Sequence, residues 1–207
     1  MEKGPLMMMK KALPLFAFLI FLPVLSHAGS DRVGIIDAGL MVSYDVFSDG
    51  GINNNAYLGG SVSYGINSWF AIGVSAGWHD SSFDVPDSAA GSTAKGGRVA
   101  MVPIFADFIF RVPGSETKNV VPYGVMGLGG IITNLHGTGD ASRFNQTVND
   151  EGGFAFKLGA GVDWFATQNW IYNLETGYVF MSADIKVGST NTDLDYYYIG
   201  GGVKWIG

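Results

Sequence analysis

The side chains able to do chemistry are few and widely spaced. The run His79-Asp80-Ser81-Ser82 sets an imidazole beside two hydroxyls and a carboxylate. Nucleophilic catalysis would need that base within hydrogen-bond reach of a hydroxyl and of an oxyanion site; as the start of a loop, Asp-Ser-Ser is ordinary turn chemistry. His136 stands alone in a polar stretch and reads as a solvated loop residue. The chain has no cysteine and no paired histidines at metal-ligand spacing, so neither a metal nor a cofactor is expected. The glycines at 124, 127, 129 and 130 are not followed by the helix that a phosphate cradle requires, and they read as small residues where a strand curves or an interior is tight. Asn145-Gln146-Thr147 matches a glycosylation pattern by chance. The largest set is ionic: Asp37, Asp45, Asp107, Asp163 and Glu175 with Arg111, Lys157 and Lys204.

What would position these eight charges is a strict alternation with period two, the mark of strands with two unlike faces. Ile36, Ala38, Leu40, Val42, Tyr44 and Val46 oppose Asp37, Gly39, Met41, Ser43 and Asp45. Leu58, Val62, Tyr64 and Ile66 oppose Gly59, Ser61, Ser63 and Gly65, and Phe70 to Trp78 oppose Ala71 to His79 in the same way. A fourth segment sets Val102 to Phe110 against Asp107 and Arg111, and a fifth, Val121 to Ile132, is too glycine-rich for its faces to be told apart. Three more set Phe156 to Trp164 against Lys157 and Asp163, Tyr172 to Phe180 against Asn173 and Glu175, and Tyr197 to Trp205 against Gly200, Gly202 and Lys204. The eight charges fall on the small, polar face.

Composition narrows what such strands can be. Of 207 residues, 14% are charged and 31 are glycine, against soluble norms of roughly 25% and ~7%. A disordered chain would be poorer in apolar residues. Residues 1–28 read as a cleaved signal peptide: Lys3, Lys10 and Lys11 precede an apolar run from Ala12 to Leu25, and Ser26-His27-Ala28 offers small residues at the cleavage site. Residues 29–207 are then the folded domain, with 9 basic and 17 acidic residues. That balance excludes a nucleic-acid partner, which needs a basic footprint.

A soluble sandwich or barrel would cover its second face with Lys and Glu; here that face is Gly, Ser and Ala with single charges. Small residues suit the cramped interior of an eight-stranded transmembrane barrel. Aromatics ending the apolar stripes (Tyr44, Tyr64, Trp78, Phe110, Trp164, Tyr172, Phe180, Trp205) suit its interfacial girdles. The expected fold is therefore an all-β, eight-stranded, antiparallel up-and-down transmembrane barrel. Short connections at Asn67-Ser68 and at 166–169 alternate with long polar ones at 79–97, 133–153 and 182–195; the turn from Pro113 to Asn119 is longer than expected. The eight charges would form a paired network plugging the lumen.

The leader, the eight segments and two hairpins that place Trp69 or Trp170 after an Asn-containing turn resemble the OmpA/OmpW-like outer-membrane β-barrel superfamily. So do Val121-Pro122-Tyr123-Gly124 at the start of the fifth segment and Gly200-Gly201-Gly202-Val203-Lys204-Trp205 at the end of the last. The resemblance implies a bacterial outer-membrane location, a periplasmic N-terminus and extracellular long loops. It also implies outer-membrane lipid, lipopolysaccharide and the barrel-assembly machinery as partners. The expected role is a non-enzymatic envelope protein making surface contact through mobile outer loops. One alternative is a narrow OmpW-like channel for small hydrophobic molecules, hinted at by Met41, Phe47, Phe105 and Ile109 on the inward face. A second is a lipid A-modifying enzyme, which needs His79 and a serine to converge on the lipid side.

Overall fold

The computed structural model describes residues 33–48, 52–87, 92–112, 120–137, 152–167, 169–182, 184–187 and 190–207. Within them every element is a strand: β1 (Ile36–Phe47), β2 (Asn55–Gly65), β3 (Phe70–Asp87), β4 (Ser92–Arg111), β5 (Val120–Gly137), β6 (Gly153–Phe165), β7 (Trp170–Met181), β8 (Asp184–Val187), β9 (Thr190–Asp193) and β10 (Tyr196–Ile206). Eight of them close a barrel in the order β1-β10-β7-β6-β5-β4-β3-β2, every pair antiparallel, while β8 and β9 pair only with each other. Stepping across the paired residues from Asp37 through Ser63, Gly73, Asp107, Gly127, Lys157, Val179 and Tyr196 returns to β1 at Phe47, ten residues further along. That stagger tilts the strands and closes the sheet without an edge.

The wall is inside out relative to a soluble protein. Leu40, Val42, Leu58, Val62, Val74, Leu174 and Ile199 are each more than half exposed, whereas Asp37, Asp45, Asp107, Arg111 and Asp163 are buried. On β6 the outward side chains run from Phe154 to Trp164. Ten residues at about 3.3 Å each, tilted by about 40°, span about 25 Å, the height of the apolar band of a membrane barrel. All eight aromatics assigned to the stripe ends are exposed. The tryptophans divide unevenly: Trp69, Trp164, Trp170 and Trp205 ring the end with the short turns, and Trp78 alone marks the other.

At the long-connection end the pattern inverts. Phe47, Phe83, Val99, Met101 and Ile131 point inward and are buried, while Asp80, Ser82 and Arg98 point outward, Arg98 bonding Asp80. Here the strands have left hydrocarbon and face water outside, so the apolar residues turn in. This inversion corrects the expectation of long loops. The segment 79–97 is largely strand, with β3 continuing to Asp87 and β4 beginning at Ser92; β5 runs on to Gly137; and 182–195 holds the β8–β9 hairpin. Asp80 and Ser82 read as loop because they belong to the wet outer face of a strand. The fifth segment also resolves: Tyr123, Val125, Gly127 and Gly129 face in, and Met126 and Leu128 face out. The leader with its cleavage site, the 113–119 turn and the 145–147 sequon lie outside the described residues.

Two short turns share one device. The Asn67 Oδ1 accepts the amides of Trp69 and Phe70 at 3.0 and 2.7 Å. Thr167 Oγ1 accepts those of Asn169 and Trp170 at 3.3 and 3.1 Å. A side-chain oxygen thus stands in for a backbone acceptor and fixes the hairpin. For the wall itself, Leu158→Arg at mid-band on β6 is expected to lower folding stability in lipid vesicles by about 2–4 kcal/mol. A harmless arginine there, measured by denaturant titration, would reverse the assignment of the two faces.

Candidate functional site: the barrel interior

Large inward side chains lie flat on the wall, and glycines make room for them. A Cβ added at Gly59 or at Gly77 would run into the Tyr57 ring. A Cβ at Gly161 would come within 2.5 Å of Tyr123, and one at Gly177 within 2.6 Å of the Tyr198 hydroxyl. Gly127 sits beneath an ion pair: its Cβ would lie 2.8 Å from Asp107 Oδ1 and 3.0 Å from Lys157 Cε. Part of the glycine excess is therefore a set of seats for bulky inward groups. Of the run 124–130, Gly127 belongs to this arrangement.

The seats let the charges reach across strands. Arg111 on β4 donates to Asp37 on β1 at 2.6 Å, and Ser63 on β2 approaches the same oxygen at 3.5 Å. Lys157 on β6 lies 2.8 Å from Asp107 on β4, reaches Ser75 on β3 at 3.2 Å, and sits 5.0 Å over the Phe105 ring. Lys204 on β10 donates to Asp163 on β6 at 2.8 Å and lies 4.7 Å over the Tyr123 ring. The other two acids use different partners. Glu175 on β7 accepts the hydroxyls of Tyr123 at 2.7 Å and Tyr198 at 2.8 Å. Asp45 accepts Ser43 Oγ at 2.8 Å and lies 3.0 Å from His79 Nδ1. All eight charges read from the sequence thus face the interior, and six of them form three cross-strand pairs. Between the struts lies a cavity of about 80 Å³, walled among others by Asp107, Asn173 and Glu175.

Toward the inverted end the interior turns apolar. His79 is fully buried, boxed by Phe47, Tyr57 and Tyr196 at ring distances of 5.8, 5.9 and 5.3 Å. Above it Phe47, Ile52, Phe83, Val99, Met101 and Leu194 form part of one buried cluster. His79 points into the lumen, the face its parity gives it, so it does not meet Ser82, which points outward; for the other histidine the structure corrects the loop reading. His136 lies on a strand, in register with Arg98. Among the described residues no group of three or more metal-ligating side chains converges.

Sequence reasoning found the charges and missed the tyrosines. Tyr57, Tyr123, Tyr196 and Tyr198 have the inward parity, but their role depends on which glycine lies beside them on the next strand, and that is set by register. For the Tyr57 seat, Gly77→Ala and Tyr57→Ala are each expected to destabilise the barrel, Gly77→Ala by about 1–3 kcal/mol. The double variant should lose less than their sum, because Tyr57→Ala vacates the space that the new methyl needs. Strict additivity in urea unfolding would mean that the ring does not need its seat.

The family model described as outer membrane protein beta-barrel domain matches residues 15–206. None of the curated proteins matches the sequence. Among solved structures the chain is similar to Neisserial surface protein A, at 15% identity and a TM-score of 0.56, covering 86% of this chain and 99% of that one. It is similar to outer membrane protein W of E. coli at 15% identity and 0.53, covering 85% and 99%. It is also similar to Ail, the attachment invasion locus protein of Yersinia pestis, at 13% identity and 0.52, covering 84% and 99%. At such identities the likeness shows the fold, an eight-stranded antiparallel barrel. With the family model spanning most of its length, this chain belongs to the outer-membrane β-barrel proteins of bacteria.

Proposed function

We propose that this is a non-enzymatic envelope protein whose barrel is closed to steady flow and carries outer segments for surface contact, adding to envelope integrity. The observation that carries this reading is the filled interior: cross-strand ion pairs fill one half and a buried apolar cluster caps the other. Eight strands leave space for side chains, whereas open channels belong to barrels of about sixteen. The short turns and the N-terminus then face the periplasm, the inverted end faces outward, and the exposed aromatics sit at the two lipid interfaces. Lipid, lipopolysaccharide and the barrel-assembly machinery are the partners this placement requires. Purified protein in a planar bilayer should show no large steady conductance; a stable open level would overturn the closed interior.

The nature of the contact follows from charge. The outward connections (48–54, 79–98, 134–152 and 182–195) carry ten carboxylates against four Lys and Arg. Ail of Yersinia pestis has been solved in complex with the heparin analogue sucrose octasulfate. This chain's outer end would repel such a polyanion. The protein should pass through a heparin column at physiological salt without retention, and firm binding would contradict the proposed orientation.

A second reading has an observation of its own. Phe47 and Phe105 belong to the apolar cluster of the outer lumen, and Met41 and Ile109 border the cavity below it. Apolar side chains at both levels suit a narrow path for small hydrophobic molecules, as in an OmpW-like channel. Alkane or detergent bound inside the purified barrel would support it, and an interior that excludes both would count against it.

A further inference from the structure

Most of the apolar cluster in the outer lumen comes from the inward faces of barrel strands, but two of its members come from connections. Leu194, 1% exposed, precedes β10, and Ile52, 4% exposed, lies between β1 and β2. Ile52 pairs with Phe83 through a single isolated bridge. The residues that follow it are held by few bonds: the Asn53 amide donates to Ser82 O at 2.9 Å, Asn53 Nδ2 donates to Ser82 Oγ at 2.8 Å, and Asn54 Oδ1 accepts the Phe47 amide at 3.2 Å. The strap lands where the β3–β4 register shifts, between Phe83 and Asp84. It is therefore tied to an irregular stretch of wall and stands outside the continuous ladders.

What lies beneath the strap opposes its closure. His79, Ser81 and Phe83 are successive inward residues of β3. His79 Nε2 and Ser81 Oγ have no hydrogen-bond partner among the described residues, on side chains that are 0% and 1% exposed. Burial of Ile52 favours the closed form. Two polar groups shut away without partners disfavour it. Opposed terms on one small element make it bistable, and admitting a partner for the polar pair tips the balance toward opening.

We propose that residues 52–54 are a lid over a binding chamber in the outer lumen, and that its ligand is a small molecule with an apolar body and one hydrogen-bonding head. The body replaces Ile52 against Phe47, Phe83 and Met101, and the head meets His79 and Ser81. This inference rests on the second reading above, since a lid regulates nothing unless molecules enter the lumen, and it adds both the moving part and the ligand class.

The chain has no cysteine, so an engineered pair is unambiguous. Directly opposed residues of antiparallel strands lie at about the Cα separation that a disulfide needs. Asn53→Cys with Ser82→Cys, a pair outside the proposed chamber whose backbones already meet through Asn53 N–H and Ser82 O at 2.9 Å, would lock the lid when oxidised. Cells making the unaltered protein, this variant or neither are given radiolabelled 1-octanol, with barrel folding checked by heat-modifiable gel migration. The unaltered protein is expected to speed uptake severalfold over cells lacking it. The oxidised variant should fall to the rate of those cells, and reduction should restore it. Equal rates before and after reduction, with uptake by the unaltered protein intact, would overturn the lid and leave the path standing. No gain from the unaltered protein would overturn both. If that pair does not fold, Ile52→Cys with Phe83→Cys closes the same strap, and the criterion is a rise in uptake on reduction within that variant alone; no rise would overturn the lid.

Discussion

Everything inside this barrel answers to a fixed cross-section. Eight strands staggered by ten residues enclose a bore that side chains alone can fill, and the backbone ladder that sets the bore does not stretch to suit its contents. A bulky group on one strand is then possible only where its neighbour gives up a side chain. Tyr57 with Gly77, Tyr198 with Gly177, and the Asp107–Lys157 pair above Gly127 are three solutions of that one problem. The same narrowness governs electrostatics. Little water can enter to solvate an inward charge, so each needs a partner within reach of its own side chain. Arg and Lys supply three such partners, and phenols, a hydroxyl and an imidazole supply the rest.

Because the protein sits in two solvents, one strand carries two codes. In hydrocarbon the apolar residue is the one facing out; beyond the headgroups it is the one facing in. On β3 the change falls between Trp78, outward and exposed, and Phe83, inward and buried. His79 stands at the crossing, with the polar struts on one side and the apolar cap on the other. Alternation persists through the change, but the chemical meaning of each face is exchanged. A reading that looks for greasy stripes facing lipid therefore stops where the stripe stops. That is why the sequence showed eight strands and, for all but the fifth, their faces within the membrane, yet took 79–97 for a loop.

The candidate site divides along a similar line. Which residues face inward was legible, because parity is a local property: Asp37, Asp107, Lys157 and Asp163 each sit between outward apolar neighbours. Which residues meet was not. Arg111 and Asp37 are 74 residues apart and are separated by two strands in the wall, so their contact exists only once the stagger is fixed. Glu175 shows the same limit more sharply. Its partners are tyrosines, whose types suggest a membrane interface, and only the register shows that Tyr123 and Tyr198 converge on it. Ile52 and Leu194 were invisible for a further reason: they act from connections, where no period announces an inward side chain.

Ion pairs are a costly way to fill a lumen, since well-packed apolar residues of similar volume often do as well or better. Their value here lies in what they exclude. A one-residue slip between neighbouring strands would turn a whole set of inward charges toward lipid. A two-residue slip keeps the faces but separates Lys157 from Asp107, lifts Tyr123 from its seat at Gly161, and strands the acids beside them. An interior of leucines would tolerate either neighbouring register, because grease is satisfied by any grease. The struts therefore make the stagger single-valued, and the stagger in turn fixes the bore, the tilt and the level at which the wall leaves the membrane. The apolar cap can then be less exacting, because it is built on strands whose alignment the polar half has already determined.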